Sequence, residues 1–327
     1  MLGAMDFGAG TTTDEVLDGV DLSSTTALVT GASSGLGQET ARALAAHGAS
    51  LVLGVRDVAK GEAAAEPVRA AVAAAGAGGT VEVRAVDLTS LRSIRAFGDS
   101  MSADHASLDL LVANAGVMAT PQATTEDGFE LQLGTNHLGH FVLVNRLAPL
   151  LLAGGPSRVV VLSSSGHRFA DVDLDDPGFE RTEYDPWIAY GRSKTANALF
   201  ALELDRRLRA QGVRAASVHP GFVHTELGRH LTDETITSLL ASAGAGGLPT
   251  PKSVEAGAAT SVWAGVVADA DEVGGRFCED CHVAEPAGEP GRPGGVHPWA
   301  QEPTTARALW DLSERLVGET FPAPAGP

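Results

Sequence analysis

Short apolar runs alternate along the chain with longer stretches of helical periodicity. The runs that predict strands, each bounded by glycine or polar residues, are 26–30, 50–55, 80–86, 108–113, 158–162, 213–218 and 275–278. Helical stretches follow most of them, including one from Pro186 to about Arg209. Strands that alternate with helices form crossover connections, which make parallel pairs. The pattern therefore predicts a doubly wound α/β fold with a central, mostly parallel sheet of seven strands flanked by helices.

The pattern also predicts how the chain is divided. Residues Thr12 to Glu15 have the sequence of a capping box that opens a short helix ending near Val20. A Pro/Gly-rich stretch near the other end precedes an amphipathic helix from about Thr304 to Val317. We expect a leader over 1–25, one α/β domain over 26–285, and a linker and helix over 286–327 that pack on the same domain.

Composition narrows the class of protein. Hydrophobic residues are 44% of the 327 and aromatic residues only 5%, so Ala, Val and Leu must build the core, as suits helices on a parallel sheet. The formal net charge of −18 repels nucleic acid and anionic membranes. No apolar run approaches the ~20 residues that span a bilayer, and the N-terminus lacks the pattern of a signal peptide. We expect a cytoplasmic protein with no nucleic-acid partner and no membrane span.

The first apolar run leads directly into a glycine-rich turn and then a helix. Gly31, Gly35 and Gly37 are the glycines of this turn. Glycines let the backbone approach a pyrophosphate closely, and the N-terminus of the following helix stabilises its charge. An ordinary strand-to-helix turn is the alternative.

A tyrosine and a lysine four residues apart provide candidate acid–base chemistry. Tyr190 and Lys194 fall within one helical stretch, so their side chains share a face. An ammonium group near the phenol lowers a phenol pKa that starts near ~10. The pair would then exchange protons near neutral pH, although one such pair on a surface helix is more often accidental.

The glycine turn has the motif T-G-x-x-x-G-x-G. With this motif and the Tyr-Lys pair, the chain resembles the classical short-chain dehydrogenase/reductase family from about Thr26 to about Val283. Residues 39–65 and 278–286 look like its retinol-dehydrogenase-like branch. The resemblance implies a single Rossmann domain and a catalytic set of Asn136, Ser164, Tyr190 and Lys194. A miscount by one would give the serine role to Ser163 or Ser165.

The resemblance also implies what each residue does. Tyr190 would be the general acid in reduction and the general base in oxidation, and Ser164 would donate a hydrogen bond to the substrate oxygen. Lys194 would lower the Tyr190 pKa and bind the nicotinamide ribose, and the backbone carbonyl of Asn136 would hold a relay water on Lys194. The implied cofactor contacts are Gly31, Ser33, Ser34, Gly35, Leu36, Gly37, Arg56, Asp87, Leu88, Asn114, Ala115, Gly116, Tyr190, Lys194, Pro220, Val223 and Thr225.

The tip of the second strand indicates which dinucleotide is bound. An acidic residue there would bind the ribose 2′-hydroxyl of NAD, but this chain has Val55 followed by Arg56. A guanidinium suits a 2′-phosphate, so the sequence favours NADP, with NAD as the alternative. Arg56 could instead pair with Asp57 or Glu62, and Asp87 after the third strand could cap the helix that starts near Thr89.

Two further patterns are open to other interpretations. Cys278, Cys281 and His282 spell the C-x-x-C-H of haem attachment or a redox C-x-x-C, but a strand end leading into a polar loop is the favoured interpretation. His137 and His140 have no third ligand nearby in sequence, so we expect no metal site.

The sequence thus predicts an NADP(H)-dependent oxidoreductase that transfers a hydride between the nicotinamide and a small-molecule substrate, a carbonyl compound or an alcohol. A light-dependent reductase of the protochlorophyllide type and a non-catalytic NADP-binding sensor are the alternatives. The acidic insertion 166–186 and the Gly-rich stretch 226–251, with a short helix at 233–241, are candidate substrate lids. A homodimer is an assembly that the resemblance leaves open.

Overall fold

A parallel β-sheet runs through the centre of the computed structural model, which describes residues 7–76, 78–233, 235–237, 250–288 and 294–321. Within these residues the sheet has eight strands in the order β3-β2-β1-β4-β5-β6-β7-β8. They are β1 (Thr26–Thr30), β2 (Ser50–Val55), β3 (Val81–Ala85), β4 (Leu110–Ala113), β5 (Ser157–Leu162), β6 (Val213–His219), β7 (Phe277–Glu279) and β8 (His282–Val283). The order turns back between β1 and β4, which confirms the doubly wound fold and opens a crevice at the carboxyl ends of these strands.

Helices cover both faces of the sheet. They are α1 (Thr13–Val16), α2 (Gly35–Ala46), α3 (Val58–Ala75), α4 (Leu91–Asp104), α5 (Leu131–Leu133), α6 (Gly139–Ala153), α7 (Pro186–Leu208), α8 (Val254–Val262), α9 (Ala270–Val273) and α10 (Pro303–Val317). A π-helical turn, Gly134–Leu138, joins α5 to α6, and a 3₁₀ turn, Ser165–Arg168, follows β5. Within the described ranges no helix is both long and apolar enough to cross a membrane.

The prediction of seven strands was one short. Strand β8 pairs antiparallel with β7, because the chain reverses at Asp280 and Cys281 instead of leaving the sheet as a polar loop. Both turn residues have positive φ, 50° and 58°. Two consecutive left-handed residues make the tight hairpin turn that usually needs glycine or asparagine. The sequence therefore carried no ordinary signal for this hairpin.

The sheet separates two apolar layers. Successive side chains of a strand point to opposite faces. In β1 the buried Leu28 therefore belongs to the same apolar layer as Phe141 of α6 on one face, whereas Val29 belongs with Leu44 of α2 to the layer on the other. The central strands are buried on both faces, as a parallel sheet between helices requires.

The C-terminal helix, predicted from Thr304 and observed from Pro303, covers the outer surface of α6 and α7. The Trp310 ring packs edge-on to Phe141, with ring centroids 4.9 Å apart, and lies 5.9 Å from the Phe200 ring. The Arg207 guanidinium stacks over the Trp310 ring at 4.2 Å. The helix thus adds an aromatic cluster to a chain with few aromatic residues.

The helix ends agree with the sequence analysis except at the end of α1 and at the start of α4. Thr12 and Glu15 form the predicted capping box, but α1 ends at Val16 rather than near Val20. Ser90, not Asp87, caps α4. Of the helix predicted at 233–241, only 233 and 235–237 are described; the other residues lie outside the described ranges.

We expect Trp310→Ala to lower the free energy of unfolding by about 3 kcal/mol, because it removes a buried aromatic side chain and leaves a cavity against Phe141 and Phe200. Urea unfolding measures the change. Arg307→Ala, at an exposed position of the same helix, is the matched control and should leave the midpoint nearly unchanged. Equal effects of the two substitutions would contradict the packing role of Trp310.

Candidate active site

The glycine turn and the end of β4 touch each other at the floor of the crevice. A Cβ atom at Gly31, whose φ is +66°, would lie 2.8 Å from the Cα of Ala115. At Gly37 it would lie 2.5 Å from the Gly31 carbonyl oxygen. The Asn114 side-chain amide donates to the Thr30 carbonyl at 2.8 Å and holds the two turns together. Close backbone approach therefore requires both glycines.

The start of α2 is suited to bind a phosphate group. Ser34 is its N-cap residue, yet the serine side chain makes no cap hydrogen bond to the described helix. The N–H groups of the first turn are thus open to a ligand, and the helix dipole favours an anion there. This arrangement fits the pyrophosphate of a dinucleotide.

The loop after β6 closes against this turn. The Thr225 methyl group would lie 3.3 Å from a Cβ at Gly35, and the side chains of Leu36 and Val223 both pack against Gly257. The Pro220 carbonyl is directed toward the same glycine. The structure therefore brings together residues predicted from two distant motifs.

Arg56 stands exposed at the end of β2, in the strand next to β1. The alternative surface pairings of Arg56 are absent: Asp57 caps α3 through the Lys60 N–H, and Glu62 pairs with Arg69. Arg56 itself makes no hydrogen bond or ion pair with any residue that the structure describes. Its guanidinium is free to meet a ligand beside the glycine turn.

Asp87 and Leu88 form the turn after β3. The Asp87 carboxylate accepts hydrogen bonds from the N–H and the hydroxyl of Thr89, at 2.9 and 2.7 Å. Leu88 is buried, and its carbonyl would lie 2.7 Å from a Cβ at Gly139. The predicted contact of these residues with an adenine ring stays a prediction.

Of the three consecutive serines after β5, Ser164 is the one beside the tyrosine. Ser163 is buried and donates its hydroxyl to the Lys194 carbonyl at 2.7 Å, which gives it a structural role. The Ser164 hydroxyl accepts from the Gly166 N–H at 3.0 Å, and the Tyr190 ring packs against the same glycine, where the Ser164 side chain acts to lower the Tyr190 pKa. The structure thus favours Ser164 for the predicted role.

The lowering of the Tyr190 pKa by Lys194 stays a prediction, because burial dominates at both residues. Burial raises the pKa of Tyr190 to about 12, and the opposing influence comes from the Ser164 side chain. Burial also lowers the pKa of Lys194 to about 8. The Lys194 ammonium donates to the Leu162 carbonyl at 3.1 Å and lies 5.7 Å from the centre of the Tyr190 ring. Exclusion of water penalises the charged form of each residue.

Asn136 lies in the π-helical turn and binds through its side chain, which the sequence did not indicate. Its amide accepts from the Val117 N–H at 2.8 Å and donates to the Val117 carbonyl and the Ser193 hydroxyl, each at 2.9 Å. The Asn136 backbone carbonyl contacts the His140 ring at 3.1 Å. Lys194 is nearby, with its ammonium 3.6 Å from a Cβ at Gly116. The relay water predicted on this carbonyl remains a prediction.

The buried His137, His140, Cys278 and Cys281 have structural roles. His140 is hydrogen-bonded to Thr30, and burial lowers its pKa to about 4. His137 is hydrogen-bonded to Ser313. Burial raises the thiol pKa of Cys278 to about 12 and of Cys281 to about 11, which disfavours a reactive thiolate. Among the described side chains no cluster of His, Cys, Asp and Glu could hold a metal ion.

Sequence reasoning missed Gly166, whose backbone lies against the Tyr190 ring. A Cβ there would be 2.6 Å from Cε1 of Tyr190 and 3.4 Å from Oγ of Ser164. The Tyr190 ring is also packed among Ala119 and Trp187, with Met118, Phe169 and Leu231 around them. The only signal in the sequence was a glycine two residues after the serine, which is also an ordinary turn signal.

A doubly wound sheet with a glycine turn and a Ser–Tyr–Lys set in one crevice defines a class of nucleotide-binding α/β proteins. The family model described as short chain dehydrogenase matches residues 25–235, and the chain belongs to this family. Mouse retinol dehydrogenase 14 is 40% identical over 300 residues, which cover 90% of this chain and 86% of the relative. A probable oxidoreductase of Streptomyces lividans is 43% identical over 298 residues, 89% of this chain and 97% of its own. These relatives place the chain in the retinol-dehydrogenase-like branch.

Solved structures agree with this assignment. An uncharacterised protein of Mycobacterium paratuberculosis aligns with a TM-score of 0.72 and 36% identity, over 96% of this chain and 99% of that chain. RhlG of Pseudomonas aeruginosa, in an active-site complex with NADP, aligns with a TM-score of 0.57 and 25% identity, over 79% of this chain and 95% of that chain. The chain is therefore an oxidoreductase of a family that binds nicotinamide cofactors.

We expect Gly166→Ala to reduce turnover by roughly 100-fold, because the added methyl group would displace the Tyr190 ring from Ser164. Steady-state rates with NADPH and a carbonyl substrate measure the loss. Gly178→Ala is the matched control: a Cβ there meets Glu180 only at ordinary contact distance, 3.7 Å, so its rate should be that of the unmodified chain. A fully active Gly166→Ala enzyme would show that this contact does not fix the tyrosine.

Proposed function

We propose that this chain is an NADP(H)-dependent oxidoreductase that interconverts a carbonyl compound and the corresponding alcohol. The observation that carries the proposal is that the Tyr190 ring and the Ser164 hydroxyl oxygen both lie against Gly166, with Lys194 beside them, in the crevice that the glycine turn enters. When bound, the nicotinamide supplies or accepts the hydride. The protein supplies orientation and a proton.

Tyr190 is the proposed proton donor in reduction and acceptor in oxidation. Its pKa of about 12 keeps the phenol protonated at neutral pH, the form that reduction needs. The Gly166 N–H occupies one acceptor position of the Ser164 hydroxyl and leaves its proton free to bind the substrate oxygen. Lys194, held at the Leu162 carbonyl, directs its ammonium to the place proposed for the nicotinamide ribose.

The preference for NADP is proposed from Arg56. A free guanidinium beside the glycine turn offers a bidentate partner to a 2′-phosphate, and no carboxylate stands at the tip of β2 to bind a ribose hydroxyl. The complex of RhlG with NADP supports the same choice.

The substrate is proposed to be apolar near its reacting group. The side chains of Ala119, Trp187, Met118, Phe169 and Leu231 form the surroundings of Tyr190. The Trp187 indole N–H donates to the Thr235 carbonyl at 3.0 Å and so ties α7 to the segment after Thr225. This contact supports that segment as the substrate lid. The relative named retinol dehydrogenase 14 supports this proposal, because retinol is an apolar alcohol.

We expect Tyr190→Phe to lower kcat by about 1,000-fold or more with NADPH affinity nearly unchanged, since it removes only the proton donor. Assays in the dark with a panel of aldehydes and ketones, and NADPH binding by fluorescence, separate the two effects. Tyr184→Phe, which alters the other of the two tyrosines, is the control and should keep activity. Retained turnover in Tyr190→Phe would refute the acid role, and turnover only under illumination would favour the pigment reductase.

We expect Arg56→Ala to weaken NADPH binding roughly 10- to 100-fold, because the 2′-phosphate loses a charge-assisted hydrogen bond. NADH binding should change little. Isothermal titration with both cofactors gives the ratio, and Arg92→Ala, at another exposed arginine, controls for the loss of one positive charge. Equal losses for NADPH and NADH would remove the basis of the NADP assignment.

A further inference from the structure

The buried side chain of His167 connects Ser164 to the C-terminal part of the chain. The His167 ring is fully buried in the 3₁₀ turn after β5. Its Nδ1 lies 2.7 Å from the Ser164 carbonyl oxygen, and its Nε2 lies 3.1 Å from the His297 backbone nitrogen. A carbonyl oxygen can only accept and a backbone N–H can only donate. The two partners therefore assign a neutral ring that carries its proton on Nδ1.

The C-terminal segment 294–301 holds the same turn through further contacts. The Trp299 indole N–H donates to the His167 carbonyl at 3.0 Å, and the Arg168 guanidinium donates to the Gly295 carbonyl at 3.1 Å. The Gly295 N–H donates in turn to the buried Glu279 carboxylate at 2.5 Å. This segment lies outside residues 25–235, which the family model matches.

We propose that His167 is a positioning residue, through which the C-terminal segment 294–301 fixes the orientation of the Ser164 hydroxyl toward the substrate. The proposal rests on the proposed function, because it assumes that Ser164 binds the substrate oxygen.

The geometry explains how the effect is transmitted. The His167 ring holds the Ser164 carbonyl, and the Gly166 N–H holds the Ser164 hydroxyl oxygen. Together they restrain the peptide plane and the side-chain rotamer of Ser164. A displacement of about 1 Å at a reacting group can cost about 100-fold in rate. Loss of the ring contact should therefore reduce kcat while leaving cofactor binding intact.

The first test compares two amides that each replace one ring nitrogen. In His167→Asn the amide can still donate to the Ser164 carbonyl from the Nδ1 position. In His167→Gln it can reach only the Nε2 position. We expect His167→Gln to lose roughly 10- to 100-fold in kcat and His167→Asn to stay within about threefold of the unmodified enzyme, both with unchanged NADPH dissociation constants. Equal kcat values for the two variants would overturn the proposal.

The second test removes the other end of the connection without touching His167. His297 has φ −72°, which proline adopts, so His297→Pro deletes its N–H donor with little backbone strain. His297→Ala also removes the imidazole but keeps the N–H, and is the matched control. We expect about a tenfold lower kcat in His297→Pro than in His297→Ala, and equal values would contradict transmission from the C-terminal segment. This pair decides the question if the His167 variants do not fold.

A third measurement does not depend on turnover. Two-bond ¹H–¹⁵N spectra of the histidine rings, assigned by the signal lost in His167→Asn, report which nitrogen of His167 carries the proton. The Nδ1–H form at neutral pH supports the contact with Ser164, and the Nε2–H form overturns it. If the chain binds NADPH but reduces no carbonyl compound, the proposed function fails, and this spectrum still decides whether His167 holds the serine turn.

Discussion

The docking of the end of β5 onto α7 is the constraint on which the rest of the site depends. The Leu162 carbonyl accepts hydrogen bonds from the Lys194 ammonium at 3.1 Å and from the Asn197 amide at 2.9 Å. The Ser163 hydroxyl returns a bond to the Lys194 carbonyl. These bonds lie in the buried interior, where an unmade bond would be costly. They fix the position of α7 relative to the end of β5, and this position brings the Tyr190 ring to Gly166, beside Ser164.

Glycines at the contact are as important to this docking as the hydrogen bonds, because they have no side chain to hold the two elements apart. Gly166 allows the Tyr190 ring to lie against the turn after β5. Gly191 lies in α7 one turn before Lys194. A Cβ at this position would lie 3.0 Å from the Gly166 carbonyl oxygen and 2.9 Å from Cβ of Phe169, so a side chain here would separate α7 from the turn. Gly31 plays the same part where the glycine turn meets the β4 end. At these glycines the walls of the crevice are backbone, which suits the close approach of a flat, charged cofactor.

Burial determines the electrostatics of the site more than pairing does. It raises the pKa of Tyr190 and lowers that of Lys194, because each charged form loses its hydration. It likewise lowers the pKa of His140 and His167 to about 4 and keeps both neutral. Neutral rings with one donor and one acceptor then serve as connectors: His140 between Thr30 and Asn136, and His167 between Ser164 and the C-terminal segment. A charged ring could not accept at either connection.

The sequence by itself determined the order of strands and helices, the position of the glycine turn and the Tyr-Lys pair, because periodicity, turn residues and i, i+4 spacing are local properties. Only the tertiary structure decided which of Ser163 to Ser165 faces Tyr190, since one residue of register reverses a side chain. It also decided the pKa of Tyr190, the left-handed turn at Asp280 and Cys281, and the contact of His297 with His167. Burial, and contacts between residues distant in sequence, depend on the packing of the whole chain and cannot be read from the local pattern of residues.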